Sequence, residues 1–232
     1  VGSEMCIRDR AEEDSGEAVA AWGRLGYPRR ALRLHSCAVA IATEHDGVVP
    51  NSYDELVALP GIGDYTASAV VSFAFGGRAT VLDTNVRRLI ARAESGIANC
   101  PTSVTRAERV VADALVPDED VRAAKWAVAS MELGALVCTA RSPQCEVCPI
   151  RDSCRWVIDG KPDNAPARRG QPWKGTDRQC RGVIMDVVRN SPRGVKVQMA
   201  LSAWPEPDQA SRCLESLLDD GLVHRRGSLI SL

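Results

Sequence analysis

The stretch Leu59-Pro60-Gly61-Ile62-Gly63-Asp64-Tyr65-Thr66-Ala67 decides the fold, because it predicts a tight turn between two helices. Ser52 and Glu55 make a Ser-x-x-Glu capping box, which predicts a helix leading up to the turn. Pro60-Gly61 ends that helix, and Gly63 frees the backbone before the next one. Two residues without side chains let a phosphate approach the amides of a helix N-terminus. The pattern favours binding to a nucleic-acid backbone without regard to base sequence. The alternative is an ordinary helix–helix turn.

The chain up to about Arg155 is mostly helical in its pattern of apolar residues. Phe and Tyr are scarce, and there is no long alternating run of the kind that predicts a sheet-based core. We therefore predict an all-α protein. The predicted helices are 18–25, 31–43, 66–75, 86–93, 106–115 and 122–136.

Composition bounds the kind of protein. The 232 residues are 45% hydrophobic and 25% charged, which is typical of one large or two small globular domains. No apolar run approaches the roughly 18–20 residues of a membrane span, and no secretory signal is visible. Without such a signal, the nine cysteines favour a metal site and free thiols over disulfides. We expect a cytoplasmic location.

Charge is unevenly distributed along the chain although its net value is only −1. Residues 1–19 are acidic, and basic residues follow later in clusters. Clusters beside the motifs favour a surface that faces phosphate, and the alternative is a set of solvated helix faces. The basic clusters are Arg87, Arg88 and Arg92; Arg151 and Arg155; and Arg168, Arg169, Lys174, Arg178 and Arg181.

A second motif, Val81-Leu82-Asp83-Thr84-Asn85-Val86-Arg87-Arg88, follows the turn by roughly one helix. Asp83 comes after an apolar run and before an amphipathic helix, which suits a helix N-cap. The alternative is a partly buried carboxylate opposite a reacting sugar, because an oxocarbenium cation at C1′ needs a nearby fixed negative charge. One residue can serve both purposes.

Four cysteines close the helical region with the spacing Cys138-x6-Cys145-x2-Cys148-x5-Cys154. Zinc is the alternative occupant, but structural zinc sites usually use two close pairs separated by a longer loop. Only one close pair is present, so four thiols within a short segment favour one 4Fe–4S cluster. The remaining cysteines are scattered, and we expect them to be free: Cys6, Cys37, Cys100, Cys180 and Cys213.

The last part of the chain predicts a small separate module. Pro, Gly and basic residues from about Gly160 to Thr176 are typical of a linker. The patterns that follow predict three helices and a hairpin around Arg226-Gly227, which indicates a winged-helix-like module. The alternative is a helical appendage with no DNA role. The predicted helices are 178–189, 199–204 and 208–218, and the hairpin is 222–232.

Together, these motifs resemble the helix–hairpin–helix DNA glycosylases that carry a 4Fe–4S cluster. The resemblance covers about Ala18 to Trp156, and the cysteine spacing is its most specific part. Tyr65 stands where endonuclease III-like enzymes carry a lysine, as in many MutY-type adenine glycosylases. Leu25-Gly26-Tyr27 with Arg30, and Met131-Glu132-Leu133-Gly134-Ala135, are similar to that subfamily too.

The resemblance implies a monofunctional enzyme that removes adenine mispaired with 8-oxoguanine or guanine, since a tyrosine cannot form a Schiff base. It implies that Asp83 stabilises the oxocarbenium ion, while Asn85 and Tyr65 position that ion and the water. Cys138, Cys145, Cys148 and Cys154 would hold a mainly structural 4Fe–4S cluster. The implied partner is double-stranded DNA, and no membrane association is expected. The resemblance also implies a monomer that is associated with the nucleoid in the bacterial cytoplasm. The implied DNA contacts are Tyr27, Arg30, Gly61, Ile62, Gly63 and Arg87, with support from Arg151 and Arg155.

The same resemblance predicts the domain boundaries. Residues 1–17 are expected to be an acidic leader, whose residues 1–10 are either an artefact of sequence assembly or a foreign leader. A glycosylase domain that is incomplete at its N-terminus is expected to follow. The predicted segments after the leader are the glycosylase domain 18–137, the cluster loop 138–156, the linker 157–176 and the C-terminal module 177–232.

Two departures from the family pattern matter. Family members carry an N-terminal helix with a glutamate that protonates adenine, and none of the 24 residues before Leu25 matches it. Glu12, Glu13 and Glu17 lie in the wrong context for that role. We therefore expect a truncated chain that excises adenine poorly or not at all. The roughly 60 residues after the linker are also too few for the Nudix-related domain that recognises 8-oxoguanine in many relatives.

Two rival functions remain open. A thymine-excising T:G mismatch glycosylase shares the cluster, the aspartate and a hairpin tyrosine. A non-catalytic, cluster-bearing protein that binds DNA through its winged-helix-like tail is the other. The missing glutamate favours this second rival, whereas Asp83 and Tyr65 count against it.

Overall fold

The computed structural model describes residues 7–163 and 172–232. Arg168 and Arg169 of the predicted basic cluster, and the start of the predicted leader, lie outside these ranges. The helices are α1 (Ile7–Glu12), α2 (Ser15–Trp22), α3 (Arg29–Glu44), α4 (Tyr53–Ala58), α5 (Asp64–Phe75), α6 (Thr84–Ser95), α7 (Arg106–Leu115), α8 (Asp120–Glu132), α9 (Arg155–Ile158), α10 (Asp177–Arg189), α11 (Val197–Leu201) and α12 (Pro207–Asp219). The strands are β1 (Val195–Lys196), β2 (His224–Arg226) and β3 (Leu229–Ser231). A π-helical turn, Leu133–Val137, follows α8, and 3₁₀ turns lie at Cys145–Val147 and Arg151–Ser153.

The prediction of a mostly helical protein is confirmed. Helix ends differ where a backbone effect overrides apolar spacing. The helix predicted to reach Leu25 ends at Trp22, because Gly23 adopts a φ of 56°. The short helix predicted at 199–204 lies at Val197–Leu201 instead. In the described part of the chain, no helix is long and apolar enough to cross a membrane.

The chain folds into two compact units that do not follow the predicted boundaries. Unit 1 comprises the described residues of Val1–Pro50, Leu59–Gly61 and Gly170–Leu232. Unit 2 comprises those of Asn51–Ala58 and Ile62–Arg169. The predicted segment 18–137 is divided between the two units, because α2 and α3 share a core with the C-terminal elements. That core contains Val19, Ala31, Cys180, Ile184, Leu214, Leu217 and Ile230.

The C-terminal elements of unit 1 follow the order α10, β1, α11, α12, β2, β3. The strands form an antiparallel sheet in the order β1-β3-β2, with Ile230 between Val195 and Arg225. Gly227 makes the predicted hairpin turn with a φ of 61°, whereas β1 was not predicted. Helices followed by a hairpin agree with the predicted element order, and a role as a winged helix stays a prediction.

Unit 2 contains α4–α9, and two hydrophobic clusters of its described residues lie near the ends of α6. Leu82, Val86, Ile90 and Ala112 form one of them, which fixes the loop that leads into α6. Ala98, Cys154 and Trp156 form the other, beside the cysteine segment. These cores hold the two ends of α6, so the features at both ends of this helix are fixed to one rigid element.

Candidate functional site

An open cleft of about 350 Å³ in unit 2 is lined by Tyr65, Leu82, Asp83, Thr84 and Arg87. This volume lies within the range of small-molecule sites. Tyr65 comes from the first turn of α5 and is 45% exposed. The structure therefore brings together two residues, Tyr65 and Asp83, that are 18 positions apart in the sequence.

Asp83 is the N-cap of α6, so the helix-capping interpretation is confirmed. Its extended backbone follows Val81 and Leu82, which are buried and anchor the loop. The Oδ1 atom of Asp83 accepts a hydrogen bond of 2.7 Å from the backbone N–H of Val86. The carboxylate is half-buried and faces the cleft, so capping leaves it available for chemistry.

A side-chain network holds the second oxygen of Asp83. Nδ2 of Asn85 donates to Asp83 Oδ2 at 3.0 Å, and Oδ1 of Asn85 accepts from Arg88 Nη2 at 2.9 Å. A carboxylate only accepts and a guanidinium only donates, so the Asn85 amide has one permitted orientation. Arg88 also donates to the carbonyl oxygens of Gly134, at 2.5 Å, and Cys138, at 2.8 Å. Asp83 is thereby linked to the start of the cysteine segment.

Gly134 lies where the π-helical turn passes closest to α6. A Cβ at this position would lie 2.6 Å from the backbone oxygen of Asn85 and 2.8 Å from its carbonyl carbon. Any side chain would therefore separate the two backbones. The glycine allows the contact through which Arg88 reaches the Gly134 carbonyl.

Arg92, one turn after Arg88, binds the cysteine segment directly. It is 3% exposed and lies 4.6 Å above the Trp156 ring. It donates to the Thr139 carbonyl at 2.8 Å and to Cys138 Sγ at 3.3 Å. Arg88 and Arg92 form no ion pair with a carboxylate of the described residues. Two buried cations without carboxylates fit a negatively charged group held by thiolates.

The predicted ligand cysteines, Cys138, Cys145, Cys148 and Cys154, line one cavity in unit 2. Nevertheless, no three His, Cys, Asp or Glu side chains of the described residues lie close enough together to hold one metal ion. Four thiolates bound to one zinc would lie within about 4 Å of each other, because each Zn–S bond is about 2.3 Å. A cluster places each thiolate on its own iron, and four cysteines that line one cavity fit such a group.

Burial also affects the protonation of one cysteine in this cavity. Burial raises the pKa of the Cys148 thiol, and the neighbouring cysteines raise it further. A metal group bound at this sulfur would offset that effect, because cysteine binds metals as the thiolate. Burial likewise lowers the pKa of Arg88, and the negative charge of a Cys138 thiolate counteracts that effect.

The predicted basic surface at Arg87, Arg88 and Arg92 is wrong, since all three side chains are buried. Arg87 Nε donates to Glu108 Oε1 at 2.6 Å, and Nη2 donates to Glu108 Oε2 and to the Pro101 carbonyl. The hydrogen bond with Glu108 raises the pKa of Arg87. This ion pair joins α6 to α7, so the structure does not favour the predicted contact between Arg87 and DNA.

The first turn of α5 is fixed by an ion pair. Both carboxylate oxygens of Asp64 accept hydrogen bonds from Arg109, at 2.9 and 2.7 Å, and Oδ1 also accepts from the Tyr53 hydroxyl at 2.7 Å. Burial acts to raise the pKa of Asp64, but the bonds from Arg109 and Tyr53 outweigh it and the pKa is lowered. These bonds join the first turn of α5, which carries Tyr65, to α4 and α7.

The glycines of the turn have different backbone requirements. Gly61 adopts a φ of 75°, and a Cβ there would lie 2.5 Å from Cβ of Arg33. Gly63 is extended, with a φ of −99°, and no atom lies within 4 Å of where its Cβ would be. Ile62, between them, is half-buried. The positive φ and the contact with Arg33 therefore require glycine at position 61. At Gly63 the fold makes neither demand, and the absence of a side chain leaves open space beside the backbone.

Tyr27 and Arg30 lie in unit 1, in the loop before α3 and in its first turn. Tyr27 is 68% exposed and has a φ of 47°, which is rare for a bulky residue. The Arg30 guanidinium lies 5.8 Å from the centre of its ring. Both side chains are therefore available at the surface of unit 1.

Glutamates are absent from the lining of the cleft, as far as the described residues show. Glu12, in α1, and Glu13 and Glu17, near the start of α2, belong to unit 1. Asp83 is thus the acidic side chain that lines the cleft in the described part of the chain.

Sequence reasoning missed the roles of Arg88, Arg92 and Glu108. Asn85, Arg88 and Arg92 follow the spacing i, i+3 and i+7, so they share one face of α6. That spacing indicates that the three side chains lie on one helix face, but it does not show whether the face is buried or exposed.

Two family models match parts of the chain. The helix-hairpin-helix motif matches residues 44–73. The iron-sulfur binding domain of endonuclease III matches residues 138–154, the segment that contains the four cysteines.

Curated relatives match most of the chain. Adenine DNA glycosylase of Mycolicibacterium smegmatis is 51% identical over 210 residues, which is 90% of this chain and 70% of the relative. Adenine DNA glycosylase of Mycobacterium tuberculosis is 47% identical over 217 residues, 93% of this chain and 71% of the relative.

Solved structures share the fold over about two thirds of the chain. A thermostable thymine-DNA glycosylase has a TM-score of 0.57 at 29% identity, covering 66% of this chain and 70% of that one. A non-covalent endonuclease III–DNA complex has a TM-score of 0.56 at 27% identity, covering 67% and 71%.

Proposed function

The chain belongs to the adenine DNA glycosylase family, and from this we propose that it removes adenine mispaired with 8-oxoguanine or guanine. The Asp83 carboxylate, held at an open cleft beside Tyr65, is the observation that carries the proposal. The reaction is hydrolysis of the bond between the base and C1′ of the sugar. We propose that the chain acts as a monomer on DNA in the bacterial cytoplasm.

We propose that Asp83 stabilises the positive charge that develops on the sugar as the base leaves. The adenosine must leave the base stack to reach the cleft, at a free-energy cost of a few kcal/mol that a mispair reduces. A fixed carboxylate then lowers the barrier because it requires no reorganisation in the transition state. Asn85 holds one oxygen of that carboxylate. We propose that Tyr65, which is exposed and lines the same cleft, orients the sugar or the water.

The chain carries a 4Fe–4S cluster, as the match to the iron-sulfur domain shows. We propose Cys138, Cys145, Cys148 and Cys154 as its ligands, because they line one cavity within the matched segment. When bound, the cluster supplies cross-linking of this segment. Arg92 supports the same segment through its hydrogen bonds to Cys138 and Thr139.

We propose that the turn binds a DNA phosphate through the amides at the start of α5, and that Tyr27 and Arg30 also contact the duplex. The open space beside Gly63 supports a close approach by a phosphate. Ile62 would hold the turn, since its side chain is half-buried.

Replacing Gly63 with alanine is expected to weaken DNA binding about tenfold without destabilising the protein. Its backbone suits alanine, but the added methyl group occupies the space that a phosphate would approach. Gly61→Ala is the matched contrast, because it is expected to lower the free energy of unfolding by about 1–2 kcal/mol. Fluorescence anisotropy and urea unfolding measure the two effects. Unchanged DNA affinity in Gly63→Ala would argue against the phosphate site.

Excision assays test the proposed function. Enzyme in excess over duplex measures slow as well as fast excision. Adenine is expected to be released from duplexes containing A:8-oxoguanine or A:G, and not from A:T. Borohydride is expected to trap no covalent adduct, because Tyr65 has no amine.

The thymine-excising alternative draws support from the fold shared with a thymine-DNA glycosylase. A T:G duplex in the same assay separates the two functions. Faster release of thymine than of adenine would overturn the proposed specificity. No release of either base, together with retained DNA binding, would favour the non-catalytic alternative.

A further inference from the structure

Unit 1 carries a stack of aromatic rings and guanidinium groups contributed by two distant segments. The Arg178 guanidinium lies 5.5 Å from the centre of the Tyr27 ring and 5.3 Å from that of the Trp173 ring. Arg30 lies on Tyr27 as well, at 5.8 Å. The stack therefore joins the loop before α3 to the start of α10, about 150 residues later.

The stack is exposed and its charge is not neutralised. Tyr27 is 68% exposed and Trp173 is 53% exposed. Arg30 and Arg178 form no ion pair within the described ranges, whereas Arg181 and Arg212 on the same helical module are paired with Asp220 and Asp177. The exposed stack thus carries two positive charges that no carboxylate of residues 7–163 and 172–232 pairs with.

Backbone contacts hold the stack in place before any partner binds. Trp22 Nε1 donates to the Gly26 carbonyl at 2.8 Å, which fixes the loop that presents Tyr27. The Thr176 hydroxyl donates to the Trp173 carbonyl at 2.8 Å. Arg178 occupies the first turn of α10, where the helix dipole disfavours a cation. This preformed arrangement, with an unfavourably placed arginine, indicates a binding role.

We propose that Trp173 and Arg178 extend the DNA-contacting surface of Tyr27, with Trp173 stacking on a nucleobase and Arg178 neutralising phosphate charge. The inference rests on the proposed function and adds two contact residues from the C-terminal part of unit 1. Nucleobases stack on exposed aromatic rings, and guanidinium groups bind both rings and phosphates. Two unpaired positive charges favour a polyanion such as DNA as the partner over a protein surface with few acidic residues.

Binding is measured by anisotropy on the full 232-residue chain with a duplex that pairs 8-oxoguanine with 2′-fluoro-2′-deoxyadenosine. The 2′-fluorine destabilises the oxocarbenium ion, so the duplex stays intact. Trp173→Ala and Arg178→Ala are each expected to raise Kd about tenfold. Trp173→Phe keeps a ring and is expected to restore binding to within threefold.

Arg212→Ala is the matched control. It also removes one exposed positive charge from the C-terminal part of unit 1, but Arg212 is paired with Asp177 and does not belong to the stack. Its Kd is expected to stay within twofold. When Trp173→Ala or Arg178→Ala is present at a concentration that saturates the duplex, its excision rate is expected to stay within threefold of the rate of the unsubstituted chain. Neither residue belongs to the cleft. Thermal unfolding confirms that each variant is folded, and Arg178→Gln replaces Arg178→Ala if that variant unfolds.

The inference is overturned if folded Trp173 and Arg178 variants bind as tightly as Arg212→Ala. Equal weakening by all three variants also overturns it, because net charge alone would then explain the effect. A chain that binds the duplex with the expected differences but releases no adenine would contradict the proposed function and leave these contacts supported.

Discussion

Replacing Asp83 with asparagine is expected to slow adenine excision by about 10²–10³-fold while leaving the protein folded. Asparagine is as good an N-cap as aspartate, so it can still accept the hydrogen bond from Val86. It lacks the negative charge that stabilises the developing sugar cation. Single-turnover rates with enzyme in excess, and the Kd for the uncleavable duplex, separate chemistry from binding.

The control is Asp14→Asn, because Asp14 is also an N-cap aspartate but caps α2 in unit 1. Its excision rate is expected to stay within twofold. Both variants are expected to show unfolding midpoints close to that of the unsubstituted chain. An Asp83→Asn rate within threefold of the unsubstituted chain would show that this carboxylate only caps the helix.

Replacing Arg88 with methionine is expected to destabilise the protein by about 3 kcal/mol and to slow excision at least tenfold. Methionine fills similar space but cannot donate to Asn85, Gly134 or Cys138, so buried acceptors lose their partner. Asn85 would then no longer be fixed, and its hydrogen bond to Asp83 would weaken. Urea unfolding and single-turnover excision at low temperature, where the variant is folded, measure the two effects.

Arg122→Met provides the control, since Arg122 is exposed on α8 and makes no side-chain hydrogen bond to another described residue. It is expected to change stability by less than about 0.5 kcal/mol. Arg88→Lys is expected to be intermediate, because a single ammonium cannot reach three acceptors in a fork. Normal excision by folded Arg88→Met would show that the network stabilises the fold without supporting Asp83.

Local sequence patterns predicted the features that depend on neighbouring residues. The turn around Gly61 and Gly63, the capping position of Asp83 and the cysteine spacing follow from backbone conformation and short loops. Helices with strong periodicity, such as α6 and α7, were predicted close to their observed bounds. These features need no knowledge of which segments meet in space.

The largest error in the predictions from sequence concerned the exposure of three arginines, which are buried. Arg87, Arg88 and Arg92 were predicted to form a basic surface that faces phosphate, because arginine is seldom buried. Each is buried because distant carbonyls, a sulfur or a carboxylate satisfy its donors. Those partners lie 14 or more residues away, apart from local contacts, so no short pattern contains them.

The sequence by itself determined the helical class, the turn, the catalytic candidate Asp83 and the four-cysteine segment, because each is encoded within a short window. Only the tertiary structure decided that α6 joins Asp83 to the cysteine segment through Arg88, and that Trp173 and Arg178 meet Tyr27. Such contacts arise when separate segments bury a common core, as Val19 and Ile184 do. The apolar pattern states which faces become buried, but the pairing of those faces is settled by packing.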